Sequence, residues 1–250
     1  MKYTGVTARG IVTPIFQEGD DLTEQVVKSL ITASEKEGFN LNDQDIVGVT
    51  EGVVARTQGN YATCEQIAKD IRTKFGSGTL GIVFPIMSRN RFAILLKAIS
   101  AAADKIILQL SYPADEVGNS LLDREVFDKS GINPYSDHMN EQEFRAHFDE
   151  SATLHRFTGV DYIEYYKSIR DNIEVVFSND PTYILNFTKK VLNCDIHTRK
   201  RTRKLLQAKG VEIVYGLDQI LTESVDGSGY NPEYGLLGSN KATEDKVKLF

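Results

Sequence analysis

The 250-residue chain contains no tryptophan and only two cysteines, Cys64 and Cys194. Cysteines this far apart, with no second metal ligand at close spacing, exclude a zinc ribbon and a disulfide framework. Long apolar runs are also absent, since polar residues interrupt each run well short of a membrane span. The N-terminus lacks the apolar stretch of a signal peptide. We therefore expect a soluble, cytoplasmic protein without a membrane segment.

The sequence also lacks an excess of basic charge, with 29 Lys and Arg against 35 Asp and Glu and a net charge of −6. This balance argues against broad nucleic-acid binding, and we expect no nucleic-acid partner. The one basic run, Arg199 to Lys204, is interpreted as the solvated face of a helix, with nucleic-acid binding as the less favoured alternative. Neither the P-loop spacing nor the Gly-x-Gly-x-x-Gly dinucleotide motif is present.

Short apolar segments alternate with segments of helical periodicity along the chain. The predicted strands are Tyr3–Val12, a short segment before Glu51, and residues 80–85, 105–111, 174–177 and 211–215. The predicted helices cover residues 22–36, 62–75, about fifteen residues after Ser88, 181–192 and 198–209. This alternation predicts an α/β fold in which a mixed sheet with parallel pairs is packed against helices.

Residues 121–170 differ from the rest of the chain because they are polar, aromatic and irregular. We interpret them as a helical, irregular insert, with residues 1–120 and 171–250 forming the α/β core. The last stretch, residues 241–250, is charged and helix-like and stops without a cap. This ending raises the hypothesis that the native chain continues past Phe250.

Two acidic residues follow predicted strands, Asp115 and Asp180. Because the carboxyl ends of parallel strands meet at one edge of a sheet, this edge is where ligands bind. Paired carboxylates from separate strands hold Mg²⁺ or Mn²⁺ against phosphate oxygens, and Asn119 would then donate to phosphate. Each aspartate can equally cap the helix that follows it, and the pattern leaves both interpretations open.

Three arginines are candidates for anion binding. Arg89 and Arg91 lie at the start of a predicted helix, where free backbone N–H groups attract phosphate or carboxylate. Exposed arginines in a first turn are also commonly only solvated. Arg56 precedes a glycine and would reach a nucleotide phosphate. A loose group in the insert matches no metal motif and is interpreted as surface residues: His138, His147, Asp149, Glu150 and His155.

Three N-terminal motifs occur in a specific order: Thr13-Pro14-Ile15 with Glu18-Gly19-Asp20-Asp21-Leu22, Asp43-x-Asp45-Ile46-Val47, and Val53-Val54-Ala55-Arg56-x-x-Gly59. In this order they resemble the N-terminal half of the coenzyme F420-0:L-glutamate ligase family, the γ-glutamyl ligases. The resemblance implies a γ-glutamyl ligase-like fold, ligation of glutamate to a carboxylate substrate with GTP and a divalent metal, and a homodimer. By position, it implies nucleotide contacts from Thr13, Pro14, Ile15, Phe16, Glu51, Gly52 and Arg56.

Several departures imply a divergent member of that family. Arg56 replaces the lysine of the family. The pair Asp115 and Asn119 is one residue longer than the Asp-x-x-Asn motif that it resembles. Ser178-Asn179-Asp180 corresponds to a Ser-Asp-Thr motif, with Pro181 where the family has a candidate ligand.

The resemblance implies an amide-bond ligase that depends on a nucleoside triphosphate and a metal ion. A substrate carboxylate would attack the γ-phosphoryl group, and an amino acid such as glutamate would open the resulting acyl phosphate. Asp115 and Asp180 would hold Mg²⁺ or Mn²⁺, while Arg89, Arg91 or Arg56 positions phosphate or carboxylate. The alternative is a non-catalytic homologue that binds nucleotide or an anionic metabolite. The residues select neither the acceptor nor GTP over ATP.

Overall fold

The computed structural model describes residues 5–250. Their contacts divide the chain into two compact units. The first comprises the chain up to Asn60 together with Phe250, and the second runs from Tyr61 to Leu249.

The first unit contains two helices, α1 (Leu22–Glu37) and α2 (Glu51–Thr57). The Asp21 carboxylate accepts a hydrogen bond from the Glu24 N–H at 2.9 Å, which confirms the predicted start of α1. Two strand predictions in this unit are wrong. Residues 5–12 form no strand, while residues 3 and 4 of that prediction lie outside the described part of the chain. Glu51 begins a helix and follows no strand.

The second unit carries the other regular elements. Its strands are β1 (Tyr61–Thr63), β2 (Thr79–Val83), β3 (Lys105–Leu110), β4 (Met139–Asn140), β5 (Ile173–Phe177), β6 (Lys190–Asn193), β7 (Ile213–Gly216), β8 (Ser239–Lys241) and β9 (Lys246–Leu249). Its α-helices are α3 (Cys64–Phe75), α4 (Phe92–Ala102), α5 (Arg124–Lys129), α6 (Glu141–His147), α7 (Tyr162–Lys167) and α8 (Arg199–Ala208). Short 3₁₀ helices cover Glu150–Thr153, Pro181–Asn186 and Leu217–Gln219.

The main sheet has six strands in the order β4-β5-β3-β2-β6-β7, all parallel except β4, which pairs antiparallel with β5. This arrangement confirms the predicted mixed α/β fold. The central strands read as continuous apolar runs because both faces of the sheet are covered. One face packs against α3, α4 and the aromatic residues of segment 121–170, and the other against α8 and the 3₁₀ helix Pro181–Asn186.

Two helix predictions in this unit are wrong. Residues 181–192 form a short 3₁₀ helix followed by β6, which lies beside β2 in the middle of the sheet. The C-terminal segment forms β8 and β9, which pair antiparallel with each other, and β9 also pairs with β1. In both cases pairing with distant strands overrides the local helical signal.

The strand order reverses between β2 and β6. From β2 the sheet extends through β3 and β5 on one side, while β6 and β7 lie on the other side. In parallel α/β sheets, the crevice at the carboxyl ends of the strands on either side of such a reversal is the usual place for a ligand. The fold therefore predicts a ligand site at the loops that follow β2, β3 and β6. No helix within residues 5–250 is both long and apolar enough to cross a bilayer.

Candidate functional site

The loop after β2 leaves the sheet through a strained residue. Phe84 has a φ of +53°, in the left-handed region that side chains other than glycine rarely adopt. Its N–H donates to the carbonyl of Gln109 on β3 at 3.2 Å. Backbone strain of this kind collects at functional loops. The residues that follow, 85–91, contain both arginines of the predicted anion site.

Asp115 ties this loop to the loop after β3. Its carboxylate is buried and accepts four hydrogen bonds. One oxygen accepts from the Met87 N–H at 2.9 Å and the Asn119 side chain at 2.7 Å. The other accepts from the N–H groups of Val117 at 3.1 Å and Asn119 at 2.8 Å. Since these bonds use the ordinary acceptor positions of a carboxylate, a metal ion would have to displace a donor, and the metal role of Asp115 stays a prediction.

Asp180 has a separate set of partners. Its side chain caps the 3₁₀ helix Pro181–Asn186 by accepting from the Thr182 N–H and hydroxyl, each at 2.8 Å. The residue itself is exposed. Among the described residues, no hydrogen bond joins Asp180 to Asp115. The structure therefore gives both aspartates the capping or turn role that the sequence left open, and their shared metal site also stays a prediction.

Asp195 is a buried carboxylate that the sequence analysis missed. It follows β6 and is 2% exposed. It accepts hydrogen bonds from the Thr198 N–H at 2.8 Å, the Thr198 hydroxyl at 2.6 Å and the Thr202 hydroxyl at 2.5 Å. These bonds fix the loop between β6 and α8. The sequence pattern predicts a helix over residues 181–192, so it indicates no strand end just before Asp195. The apolar pair Val191-Leu192 is the one signal for a short strand there.

Glu116 reaches from the loop after β3 to the loop after β6. Its carboxyl group accepts from the Ile196 N–H at 3.0 Å and, more weakly, from the His197 N–H at 3.5 Å. It also forms a hydrogen bond with the Asp195 carboxyl. Although the Glu116 side chain is exposed as a whole, its carboxyl end is partly buried against this loop. Glu116 and Asp195 therefore form a carboxyl pair across the point where the strand order reverses.

The surroundings of this pair separate the two pKa values. Burial and the hydrogen bond to Asp195 raise the pKa of Glu116 to about 7. Burial also acts to raise the pKa of Asp195, but hydrogen bonds with Glu116, Thr198 and Thr202 outweigh it, and the pKa falls below its ordinary value. Two carboxyl groups in contact share one proton because two negative charges repel at this distance. Below neutral pH, Glu116 carries that proton.

Two neighbouring carboxylates are also a donor set of the kind that binds divalent cations. Mg²⁺ is commonly held by one or two protein carboxylates, with substrate phosphates and waters completing its coordination. Within residues 5–250, no group of three or more His, Cys, Asp or Glu side chains is arranged to hold a metal ion. A two-carboxylate site that is completed by a triphosphate does not require such a group.

Arg89 and Arg91 lie in the loop after β2, the strand between β3 and β6. Both arginines are exposed. Helix α4 begins at Phe92, and no side chain caps its first turn. The Ser88 hydroxyl instead accepts from the Arg91 N–H at 3.1 Å, so it closes the turn before the helix. The Ala93 N–H of this turn donates to the Ser88 carbonyl at 3.0 Å, so the groups here that suit an anionic ligand are the two exposed guanidinium groups. Arg91 also lines a cavity of about 20 Å³ with Ile196 and other residues of unit two.

The basic segment at α8 borders the loop that contains Asp195. Residues 197–201 line an open cleft of about 460 Å³. Arg199 and Arg203 are paired with Asp218 at 3.7 and 3.5 Å. Lys200, Arg201 and Lys204 are exposed, while Leu206 is buried on the opposite face. This pattern agrees with the interpretation of the segment as a solvated helix face.

The remaining predicted nucleotide contacts lie in the first unit: Thr13, Pro14, Ile15, Phe16, Glu51, Gly52 and Arg56. Phe16 is buried, and Arg56 is exposed in the last turn of α2. The turn after Phe16 contacts the end of α2, because the Gly19 N–H donates to the Thr57 carbonyl at 2.9 Å. Gly59 has a φ of +64°, and a Cβ there would lie 2.5 Å from the Glu18 carboxylate. The two predicted segments are therefore neighbours, while their nucleotide contact stays a prediction.

A sequence model of the family described as F420-0:Gamma-glutamyl ligase matches residues 10–249. The match extends far beyond Gly59, where the resemblance in the sequence motifs weakens. No curated protein and no solved structure matches the chain significantly.

Asp115→Asn is expected to destabilise the fold. In asparagine one of the two oxygens becomes an NH₂ donor, so the N–H groups that faced this oxygen lose their acceptor. This loss lowers the free energy of unfolding by about 2 kcal/mol or more. Asp180→Asn is the matched control, because asparagine caps a helix as well as aspartate does. Urea unfolding of both variants measures the difference. Equal stability of the two variants would contradict the structural role of Asp115.

Glu116→Gln is expected to change how stability depends on pH. The raised pKa means that neutral Glu116 stabilises the fold, and that this contribution is lost as pH rises from 4.5 to about 7. The glutamine variant stays neutral, so its melting temperature relative to the wild-type chain should increase over this range. Melting curves in buffer with EDTA test this, with Glu174→Gln as the control. A pH-independent difference would count against the carboxyl pair.

Proposed function

Because the chain belongs to the F420-0:gamma-glutamyl ligase family, we propose that it uses a nucleoside triphosphate to join an amino acid such as glutamate to a carboxylate acceptor. The family accounts for γ-glutamyl ligation and for small-molecule substrates in general terms. The single observation that carries the proposal is the match over residues 10–249. The nucleotide, the metal ion and the intermediate described below are our inference, as is a cytoplasmic location.

The proposed reaction has two steps. An oxygen of the acceptor carboxylate attacks the γ-phosphorus, and the nucleoside diphosphate leaves with the electrons of the broken P–O bond. The amino group of the incoming amino acid then attacks the carbon of the acyl phosphate. An amide forms, inorganic phosphate leaves and the amine loses a proton. Neither step requires a covalent nucleophile from the protein, and catalysis of this type rests on positioning and charge stabilisation.

The protein groups proposed to orient these anions are the exposed side chains of Arg89 and Arg91. A guanidinium group can bind two oxygens of a phosphate or carboxylate at once. In the first unit, Arg56, Glu51, Gly52 and residues 13–16 are proposed to contact GTP or ATP. Asn119, which was predicted to bind phosphate, donates its side chain to Asp115 in this conformation. It therefore holds the loop unless nucleotide binding rearranges it.

Glu116 and Asp195 are proposed to hold Mg²⁺ or Mn²⁺. When bound, such an ion neutralises charge on the phosphate groups. The pair is supported by the contact between the two carboxyl groups. Glu116 lies in the loop after β3 and Asp195 in the loop after β6, and these two strands flank β2. The pair predicted from the sequence, Asp115 and Asp180, is the alternative set of ligands. Its weakness is the complete hydrogen bonding of the Asp115 carboxylate.

A homodimer is proposed from the surface of the first unit. Helix α1 has no buried residue, and Val6, Val12, Ile15 and Ile46 are 78–102% exposed. Several apolar side chains this exposed within one unit are typical of surfaces that a partner covers. A second copy of the chain is the proposed partner.

Glu116→Gln and Asp195→Asn are each expected to weaken Mn²⁺ binding about tenfold in the presence of GTP, since each removes one charged ligand. Electron paramagnetic resonance of free Mn²⁺ measures the affinity, and Asp180→Asn should leave it unchanged. The reverse pattern would favour Asp180 as the ligand. Glutamate-stimulated phosphate release from GTP or ATP then separates a ligase from a homologue that only binds nucleotide.

The wild-type chain is expected to have twice its monomer mass of 28.0 kDa in solution. Val12→Asp combined with Ile46→Asp should give monomers, because charge at the interface opposes its burial. Phe157→Asp is the control, since Phe157 is 88% exposed but lies in the second unit. Light scattering after size exclusion reports the mass, and a monomeric wild-type chain would contradict the dimer.

A further inference from the structure

Segment 121–170 reaches the loop that contains the two arginines. The hydroxyl of Tyr166, on α7, accepts a hydrogen bond from the Ser88 N–H at 2.9 Å. Tyr166 is 0% exposed, and its ring packs edge-on against Phe92, with the ring centroids 5.4 Å apart. The bond lies in a partly buried position, where loss of the acceptor leaves the Ser88 N–H incompletely solvated and costs free energy. This bond therefore constrains the backbone immediately before Arg89.

The loop is held from two directions at consecutive residues. The Met87 N–H donates to Asp115, and the Ser88 N–H donates to Tyr166. Asp115 belongs to the loop after β3, whereas Tyr166 belongs to segment 121–170. The backbone between β2 and α4 thus has one anchor from the loop after β3 and one from segment 121–170.

Helix α7 is itself fixed in place by charged side chains. Arg145 on α6 contacts Glu141, Asp161 and Glu164 at 2.7–3.3 Å. Lys167 contacts Glu141 at 2.8 Å. Asp161 also caps α7. The face of α7 that carries Tyr162 and Tyr166 packs into the main apolar cluster. A helix held in this way can act as a rigid support for the loop.

We propose that Tyr166 is a positioning residue for the anion-binding loop, and that segment 121–170 is in this way part of the ligase site. It holds Ser88 in the loop after β2, where the next residue Arg89 and then Arg91 are exposed at the carboxyl-end edge of the sheet. The functional part of this inference rests on the proposed function, because it takes the arginines to bind the anionic groups of the substrates. The structural part rests on the hydrogen bond alone.

The first test measures the loop without any substrate. Tyr166→Phe removes only the hydroxyl and keeps the ring against Phe92. Amide hydrogen exchange in residues 87–91 should become about tenfold faster, since the bond that anchors the Ser88 N–H is lost. Exchange in β3 should not change. Tyr165→Phe, one position earlier on the same helix, is the matched control and should have no effect on the loop.

An unchanged rate in residues 87–91 of the Tyr166→Phe variant would overturn the proposal. So would a rise of the same size throughout the second unit, because it would show a general loss of stability. The wild-type chain supplies a measurement that does not depend on a folded variant. Its Ser88 amide is expected to be protected, and exchange at the rate of a free amide would also overturn the proposal.

The second test asks whether Tyr166 acts through the arginines. Inorganic pyrophosphate is the probe, titrated by calorimetry. Tyr166→Phe should weaken its binding about tenfold in the wild-type background and have no further effect in Arg89→Gln/Arg91→Gln, because coupled residues are not additive. Equal effects in both backgrounds would overturn the positioning role. Both tests work without ligation, so a protein that fails as a ligase would refute the proposed function and leave the loop measurement standing.

Discussion

The candidate site depends on the parallel pairing of β2 with β3 and β6. This pairing places the carboxyl ends of three strands at one edge of the sheet, although their loops are far apart in sequence. Asp115 then connects the loops after β2 and β3, and Glu116 connects the loop after β3 to the loop after β6. Without β6 beside β2, Glu116 would have no buried carboxylate to meet. The raised pKa of Glu116 and the proposed cation site are consequences of this strand order.

Local patterns predict the elements whose own sequence carries a clear signal, such as a capping residue or an apolar run. Asp21 caps α1 as expected, and the apolar runs of β3 and β5 lie close to their predicted bounds. The errors occur where distant pairing decides the structure. Residues 190–193 form a strand because β2 and β7 flank them, and the C-terminal residues form strands because β1 is nearby. No window of sequence contains these partners.

The same distinction separates the parts of the site that could be predicted from those that could not. Polar residues after β2 and β3 indicate the sheet edge, so Arg89, Arg91 and Asp115 were accessible to sequence reasoning. Asp195 is harder to find, because the local pattern predicts a helix over most of β6 and only the apolar pair Val191-Leu192 indicates the strand. Tyr166 lies in a segment whose irregular pattern gives no indication that it supports a loop 78 positions earlier in the chain. Each of these roles follows from contacts across the fold.

In our proposal, Glu116 and Asp195 form the cation-binding pair of a nucleotide-dependent ligase. A crystal structure with GTP and Mn²⁺ tests it most directly, because the anomalous signal of manganese locates the ion without assumptions about its ligands. We expect one manganese peak in contact with both carboxylates, with phosphate oxygens between the ion and the arginines of the loop after β2. A manganese ion bound by Asp180, away from Glu116, would contradict it.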